Sequence, residues 1–355
     1  MFESRPTKLN LAQLPTEFRP LDRVSAELGG PRIWLKSDDQ TGSLLSGNKI
    51  RKLDYLLADA KRQGADTVIT CGGMQSNHCR ATSAAAARLG LRCHLILRGP
   101  QSLKYVGSKE FTLAELALPS LEGNVLLDAV LGASISVYSP SYYAENLQRI
   151  FDEVEQRYAE LGRSCYAIPT GGSNALGLWG YIDAAQELAD DFLREGIEPS
   201  AVICATGSAG TQGGLSLGFY LLNHECSVIG VAVCDSADYF YQKIRQDLGV
   251  WQAQYPGAHD SVGSIADALR INTLEQYIGP GYGLGYPALF DAIAWLARTE
   301  GVVLDPVYTG KAFYGMVSEI KNGTFKGCEH IVFVHTGGVY GLFPYENKFP
   351  AASLP

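Results

Sequence analysis

Short runs of apolar and β-branched residues alternate with longer amphipathic stretches along nearly the whole chain. The runs are Thr67–Cys71, Cys93–Leu97, Ile135–Tyr138, Cys165–Ile168, Ala201–Ala205, Ser227–Val233 and His330–His335. They are continuous rather than alternating, which predicts strands buried on both faces of a parallel sheet. Between them, Asn77–Leu89, Tyr142–Leu161, Leu176–Arg194 and Gly210–Leu222 repeat apolar residues at helical spacing. The alternation predicts an α/β protein with two open, twisted, mostly parallel sheets flanked by helices. No low-complexity linker separates the parts, so the boundaries are expected at chain crossings near residues 53 and 165. Residues 1–52 plus 166–355 then form a large domain and residues 53–165 a small one.

Four of the strands run directly into small, polar, glycine-rich turns. These are Thr70–Asn77, Ile168–Asn174, Ala205–Thr211 and Val334–Gly338. In open α/β sheets, ligands sit beyond the carboxyl ends of the strands. Glycine lets backbone N–H groups approach a ligand, and a following helix N-terminus favours an anion. None of the turns has the dinucleotide fingerprint GxGxxG, and none has the P-loop pattern. Thr206-Gly207-Ser208-Ala209-Gly210-Thr211 instead suits a single phosphate monoester, held by backbone donors, small hydroxyls and a helix dipole.

Composition narrows the class. Of 355 residues, 46% are hydrophobic and 19% charged, which excludes a disordered chain. The formal charge of −8 gives no support to a nucleic-acid or anionic-membrane binder. No apolar run approaches the ~20 residues of a membrane span. The start, from Met1 to Pro15, lacks the apolar core of a signal peptide, so a cytoplasmic location is expected. The eight cysteines include no CxxC pair and no zinc-ligand spacing, and are read as reduced thiols. No metal is expected; Asp38-Asp39 is read as a solvated turn.

Lys49 heads the apolar stripe Leu53, Leu56 and Ala60 on a predicted helix, with Arg51 and Tyr55 on the outer side. An inward lysine must be paired, deprotonated or used covalently, because burial disfavours its charge. Taken alone, an NKxRK string reads first as a solvated basic first turn; the glycine-rich phosphate cradle downstream weighs against that reading. A desolvated amine forms a Schiff base with an aldehyde, and an amine beside a monophosphate cradle is what pyridoxal 5′-phosphate requires.

Three stretches carry a resemblance: Leu45-Ser46-Gly47-Asn48-Lys49-Ile50-Arg51-Lys52-Leu53, Gln75-Ser76-Asn77-His78-Cys79-Arg80-Ala81-Thr82 and Leu304-Asp305-Pro306-Val307-Tyr308-Thr309-Gly310-Lys311. In this order they resemble the family of D-cysteine desulfhydrase and 1-aminocyclopropane-1-carboxylate (ACC) deaminase. These are fold-type II, pyridoxal-phosphate enzymes related to the tryptophan synthase β subunit. Leu176–Tyr181 and Val233–Tyr241 look like the plant-type desulfhydrase branch. The resemblance implies that the active site lies in the cleft between the two domains, with the cofactor on the large one. It implies that Lys49 bonds the cofactor covalently, that Lys52 lies near its phosphate, and that residues 206–211 (Thr206, Gly207, Ser208, Ala209, Gly210 and Thr211) bind the phosphate. Asn77 is implied beside the cofactor's phenolic oxygen, and Gln75, Ser76 and Asn77 around the substrate carboxylate. Ser76 matches a serine given a nucleophilic role in the deaminase branch. Tyr308 and Tyr282 match catalytic tyrosines facing the substrate. A homodimer and a small amino-acid substrate are implied as well.

Where the deaminase pattern has Glu and Leu, this chain has Thr309 and Thr336. A glutamate would keep the pyridine nitrogen protonated and strengthen the electron sink, as opening a cyclopropane demands. A threonine hydroxyl is a weaker partner, sufficient for β-elimination where the α-carbon carries a hydrogen. The expected reaction is therefore α,β-elimination of D-cysteine to pyruvate, ammonia and hydrogen sulfide, with Lys49 or Tyr308 as the base. ACC deamination, or elimination from L-cysteate or a D-serine derivative, is the alternative. Gly285-Tyr286, Val339-Tyr340-Gly341 and the segment Gly99–Leu121 depart from the bacterial pattern near the expected pocket rim. A catalytically silent protein binding the cofactor or a small anion is the non-enzymatic reading. His78 is expected to be a helix-start histidine rather than the base.

Overall fold

The structure, a computed structural model, describes residues 5–99, 121–257 and 263–349. Ten strands occur in it: β1 Phe18–Pro20, β2 Arg32–Lys36, β3 Thr67–Gly73, β4 Arg92–Arg98, β5 Ser134–Tyr138, β6 Cys165–Ala167, β7 Ala201–Thr206, β8 Ser227–Ala232, β9 Asn272–Leu274 and β10 His330–Val334. They make two sheets, one of order β1-β2-β10-β7-β8-β9 and one of order β5-β4-β3-β6. All pairings are parallel except that of β1 on β2.

The continuous apolar runs are explained by burial on both faces. Ile33, Leu35, Ile203, Ile331 and Phe333 point to one side of the large sheet, into a core with Leu289, Phe313 and Met316. Their neighbours Trp34, Val202, Cys204, Val332 and Val334 point to the other, against Tyr181, Leu188 and Phe219. Successive residues alternate faces, so a strand covered on both sides reads as an unbroken hydrophobic run. Strands β1, β2 and β9 escape the pattern. Two are three residues long, and β2 is closed by Arg32 and Lys36.

The helix Lys49–Arg62 follows β2 and packs Leu53, Leu56, Leu57 and Ala60 with Val68, Leu95 and Ile135 of the small sheet. Its other side lies against the helix Ala175–Glu195. The two backbones meet at Gly180, where an added Cβ would fall 2.6 Å from the Arg51 carbonyl oxygen. Only glycine permits that approach, and it fixes the Lys49–Lys52 turn against the large sheet. This contact corrects the expectation for Arg51 and Tyr55. They do not face outward: both are buried, covered by the Ala175–Glu195 helix and the N-terminal segment. The divergent segment Gly99–Leu121 falls, over residues 100–120, outside the described residues. Among the described residues no helix is long and apolar enough to cross a membrane.

Candidate active site

All four glycine-rich turns meet in one cleft of about 650 Å³. Gly72, Gly73, Ser76 and Asn77 come to it from the small sheet, and Thr206–Ala209, Thr211 and Thr336 from the large one. The convergence follows from parallel pairing, which places the carboxyl ends of neighbouring strands on one side. The divergent Gly285-Tyr286 and Val339–Gly341 do not line this cleft.

The turn after β7 leads into the helix Gly210–Leu221, whose first N–H groups have no intrahelical partner. Ala209 holds a φ of 70°, an uncommon backbone state for a residue with a Cβ. Hydroxyls surround the turn. Ser208 and Ser173 share a hydrogen bond of 2.9 Å, and the Gly210 N–H donates to Ser173 Oγ at 3.2 Å. Asn48 Nδ2 donates to Thr211 Oγ1 at 2.8 Å, while Thr206 is turned aside to Gln212. Gly171, at φ 65°, closes the cradle from the opposite side; a Cβ there would strike Ser208 Oγ. Lys52 Nζ lies behind it, 3.1 Å from Ser173 Oγ and 3.3 Å from the Gly171 carbonyl.

Lys49 begins its helix half-buried, with Nζ donating to Asn48 Oδ1 at 2.9 Å and standing 5.7 Å from the centre of the Tyr308 ring. Burial lowers its pKa to about 8; Asp305 opposes the shift and Arg80 adds to it. Burial, and then the charge of Lys49, holds Lys52 well below the ordinary lysine range. Among the described residues no carboxylate lies within ion-pair distance of either nitrogen. Two desolvated amines without an acid partner, one beside a cradle of hydroxyls and a helix N-terminus, are what a phosphorylated aldehyde would complete. The residues present therefore fit pyridoxal phosphate.

Arg51, between those lysines, behaves oppositely. Its guanidinium is buried against Asp38 at 2.7 Å and Glu187 at 2.9 Å. Asp38 also accepts from Thr16 and Tyr181. The reading of Asp38-Asp39 as a solvated turn is thus corrected for Asp38, which anchors a buried ion pair.

The tyrosines face each other across the cleft wall, with their hydroxyls 2.5 Å apart. Burial raises the pKa of both, and Tyr282 raises that of Tyr308 further. Ser76 caps the helix Asn77–Leu89, accepting from the Cys79 N–H at 3.2 Å. Asn77 accepts from Asn124 Nδ2 at 3.0 Å, which leaves its own amide N–H₂ for the cleft. Two sequence-predicted residues lie elsewhere. Gln75 does not line the cleft: its amide donates to the Glu122 carbonyl and accepts from the Asn124 N–H, so it ties two segments of the small-sheet region together. Thr309 is buried behind the wall. Its hydroxyl donates to Asp305 Oδ1 at 2.7 Å and accepts from the Asp305 N–H, while Thr336 lines the cleft. Asp305 is spent on the N–H groups of Val307, Tyr308 and Thr309.

His78 stands in the first turn of its helix, as expected. Thr70 gives its one hydroxyl proton to the Ile168 carbonyl at 2.9 Å, so His78 Nε2, 2.8 Å from Thr70, must be the donor. Burial holds this ring neutral, its pKa well below the usual value. Sequence reasoning missed Arg98, which ends β4 on the cleft wall. The signal was available: a charged residue directly after the apolar run Cys93–Leu97 stands at the carboxyl end of a parallel strand, where ligands bind.

Comparison with known proteins agrees with this geometry. The profile of the pyridoxal-phosphate dependent enzyme family matches residues 9–337. The chain is 38% identical over 351 residues to the bifunctional D-cysteine desulfhydrase/1-aminocyclopropane-1-carboxylate deaminase, mitochondrial, of Arabidopsis thaliana, covering 97% of this chain and 81% of that protein. It is 39% identical over 342 residues to the D-cysteine desulfhydrase of Klebsiella pneumoniae, covering 96% and 97%. A crystal structure of an ACC deaminase homologue superposes with a TM-score of 0.82 at 34% identity, over 97% of this chain and 95% of the other. The chain belongs to the pyridoxal-phosphate dependent enzyme family, with pyridoxal phosphate as its cofactor, and within that family to the lyases that include D-cysteine desulfhydrases and ACC deaminases.

Proposed function

We propose that the chain is a D-cysteine desulfhydrase, converting D-cysteine to pyruvate, ammonia and hydrogen sulfide. The observation that carries this choice is the wall beside Tyr308. There Thr336 lines the cleft, while Asp305 is engaged by backbone N–H groups and by Thr309; the carboxylate that does line the cleft, Asp235, belongs to the turn after β8. A neutral hydroxyl supports a weaker electron sink than an acid would. That suffices for a substrate with a hydrogen on its α-carbon.

When bound, pyridoxal phosphate supplies a sink for negative charge at the substrate's α-carbon. The rest falls to the protein. Lys49 bonds the cofactor's aldehyde carbon, and its lowered pKa makes the free amine accessible near neutral pH. Ser208, Ala209, Thr211 and the start of the Gly210–Leu221 helix hold the phosphate, with Lys52 behind them. The start of the Asn77–Leu89 helix, with Ser76 and Asn77, receives the substrate carboxylate. Lys49 or Tyr308 takes the α-proton. Tyr282, hydrogen-bonded to Tyr308, fixes that hydroxyl's direction. The proposed division places residues 53–165 in a small domain, and the proposal includes a cytoplasmic homodimer.

The second reading is ACC deamination. It is favoured by Ser76, a buried hydroxyl at the cleft end of a helix, and by the names of the relatives. A substrate panel decides between them: D-cysteine, L-cysteine, ACC, L-cysteate and O-substituted D-serines, assayed for keto acid and sulfide. D-cysteine is expected to give pyruvate and sulfide fastest. 2-Oxobutanoate from ACC without sulfide from D-cysteine would overturn the assignment. A coloured protein inert to the whole panel would leave only cofactor binding.

A further inference from the structure

Arg98 reaches the cleft from the carboxyl end of β4. Its guanidinium carbon lies 4.9 Å from the centre of the Tyr282 ring and 5.9 Å from that of Tyr143. Ring faces attract a cation without using its N–H donors. Among the described residues the Arg98 side chain makes no hydrogen bond and no ion pair; its backbone pairs in the sheet, and its guanidinium lines the cleft against the two rings. Of the other cations lining the cleft, Lys49 is assigned to the cofactor and Lys243 is already held by Asp247 at 2.6 Å. From Arg98 the wall continues through Tyr282, Tyr308 and Lys49. The phosphate side and the carboxylate side of the cleft lie at the two helix starts, at Gly210 and Asn77. Arg98 is the cation on the remaining wall, beside the tyrosine pair.

We propose that Arg98 is the leaving-group residue of this cleft: it meets the substrate's β-substituent and holds the negative charge that group acquires as its bond to the β-carbon breaks. The inference rests on the elimination reading above and defines its substrate class, amino acids whose β-substituent is an anion or departs as one. With D-cysteine, the base takes the α-proton and the electron pair left behind becomes the bond between the α- and β-carbons. The pair of the carbon–sulfur bond departs on sulfur. D-Cysteine thus yields 2-aminoacrylate, a proton and hydrosulfide, and water then converts 2-aminoacrylate to pyruvate and ammonia. Hydrosulfide leaves beside a guanidinium, which stays protonated and can aim two N–H donors at one anion.

The test compares the wild-type holoenzyme with Arg98→Met and Arg98→Lys. Binding is read by calorimetry with two unreactive carboxylates, 3-sulfopropanoate and butanoate, which differ in their distal charge. Turnover is read with D-cysteine and with β-chloro-D-alanine, whose chloride needs less help to leave. Arg98→Met should cost the sulfonate about tenfold more affinity than it costs butanoate. It should also slow D-cysteine about tenfold more than β-chloro-D-alanine. Arg98→Lys, which keeps the charge, should recover part of both differences. If Arg98→Met disturbs folding, Arg98→Lys still tests the idea through loss of the bidentate fork, by a few-fold in the same two ratios. Equal losses on both members of each pair would overturn the inference, because they would assign Arg98 to supporting Tyr282 or to the α-carboxylate. If wild type ignores D-cysteine yet prefers 3-sulfopropanoate in an Arg98-dependent way, the D-cysteine assignment fails and the leaving-group role stands.

Discussion

One turn of helix sends three cations in two directions. Arg51 goes backward into a network in which every charge has a partner: Asp38, Glu187, and through Glu187 the buried Lys36, which also reaches Asp191 at 2.6 Å. Lys49 and Lys52 go forward, where among the described residues no acid comes within ion-pair distance. Arg98 joins them from the small-sheet side. Burial costs all of these groups solvation, so the difference lies in what compensates it. Behind the helix the compensation is built into the chain and fixes the frame. In front it is left to a ligand, and that incompleteness marks the site. A buried cation is thus informative by its missing partner rather than by its charge.

The largest test removes the forward amine. Lys49→Ala should lower turnover at least about a thousandfold, since the lysine both attaches the cofactor and is a candidate base. It should also abolish the visible absorbance of the lysine-bound cofactor in the resting protein. A variant that keeps that spectrum would place the attachment elsewhere.

The backward network should answer in stability rather than in chemistry. Asp38→Ala leaves Arg51 buried beside a vacated partner and should cost about 3–5 kcal/mol in urea unfolding. Replacing both, as Asp38→Leu with Arg51→Met, should recover most of that loss, because no uncompensated charge remains. If the double variant is as unstable as the single one, the pair acts by geometry and the contrast drawn above is wrong in kind.

Lys52→Met should move two measurements in opposite directions. The phosphate loses a charge-assisted partner, so cofactor affinity should fall about tenfold to a hundredfold. The cofactor-free protein should instead melt higher than wild type, because a buried lysine with no acid within ion-pair distance, which must either hold its charge unpaired or give up its proton, is gone. The pH dependence separates charge from volume. The folded pKa of Lys52 lies below its unfolded value, so the unfolded chain binds the extra proton. Wild-type stability should then rise with pH, and the gap to Lys52→Met should close toward the ordinary lysine pKa. A gap independent of pH would mean that volume, not charge, sets it.

The same contrast explains what could be read without coordinates. The apolar runs mark β3 to β8 and β10, since burial on both faces leaves an unmistakable pattern in all of them but the partly exposed edge strand β6. The turns at their ends mark the cleft, because small polar residues after a strand have few structural reasons to occur four times. The helical period places Lys49 correctly but sends Arg51 to solvent. Periodicity records which face is apolar; it does not record that a polar face is covered by Asp38 and Glu187, distant in sequence. Gln75 and Thr309 show the same blindness at the site itself. Both stand next to cleft residues in sequence, yet Asn124 and Asp305 claim their side chains. Arg98 is the converse, a cation that the strand-end rule could have flagged without any partner being known.

The smallest effect concerns how readily the forward amine is used. Burial lowers the Lys49 pKa to about 8, so at pH 7 roughly a tenth of it is the free amine, whereas at the ordinary value of 10.5 well under a thousandth would be. The rate at which cofactor-free protein takes up pyridoxal phosphate should therefore climb about tenfold from pH 7 and level off above about pH 8. Arg80 and Asp305 act on this value from opposite sides. Arg80→Gln removes a nearby positive charge and should move the plateau to higher pH; Asp305→Asn removes the opposing acid and should move it lower. Monitored by visible absorbance on cofactor-free protein, the experiment is independent of any substrate. A rate still rising steadily beyond pH 10 would show that Lys49 behaves as a solvated lysine, and the distinction between its environment and an open surface would be lost.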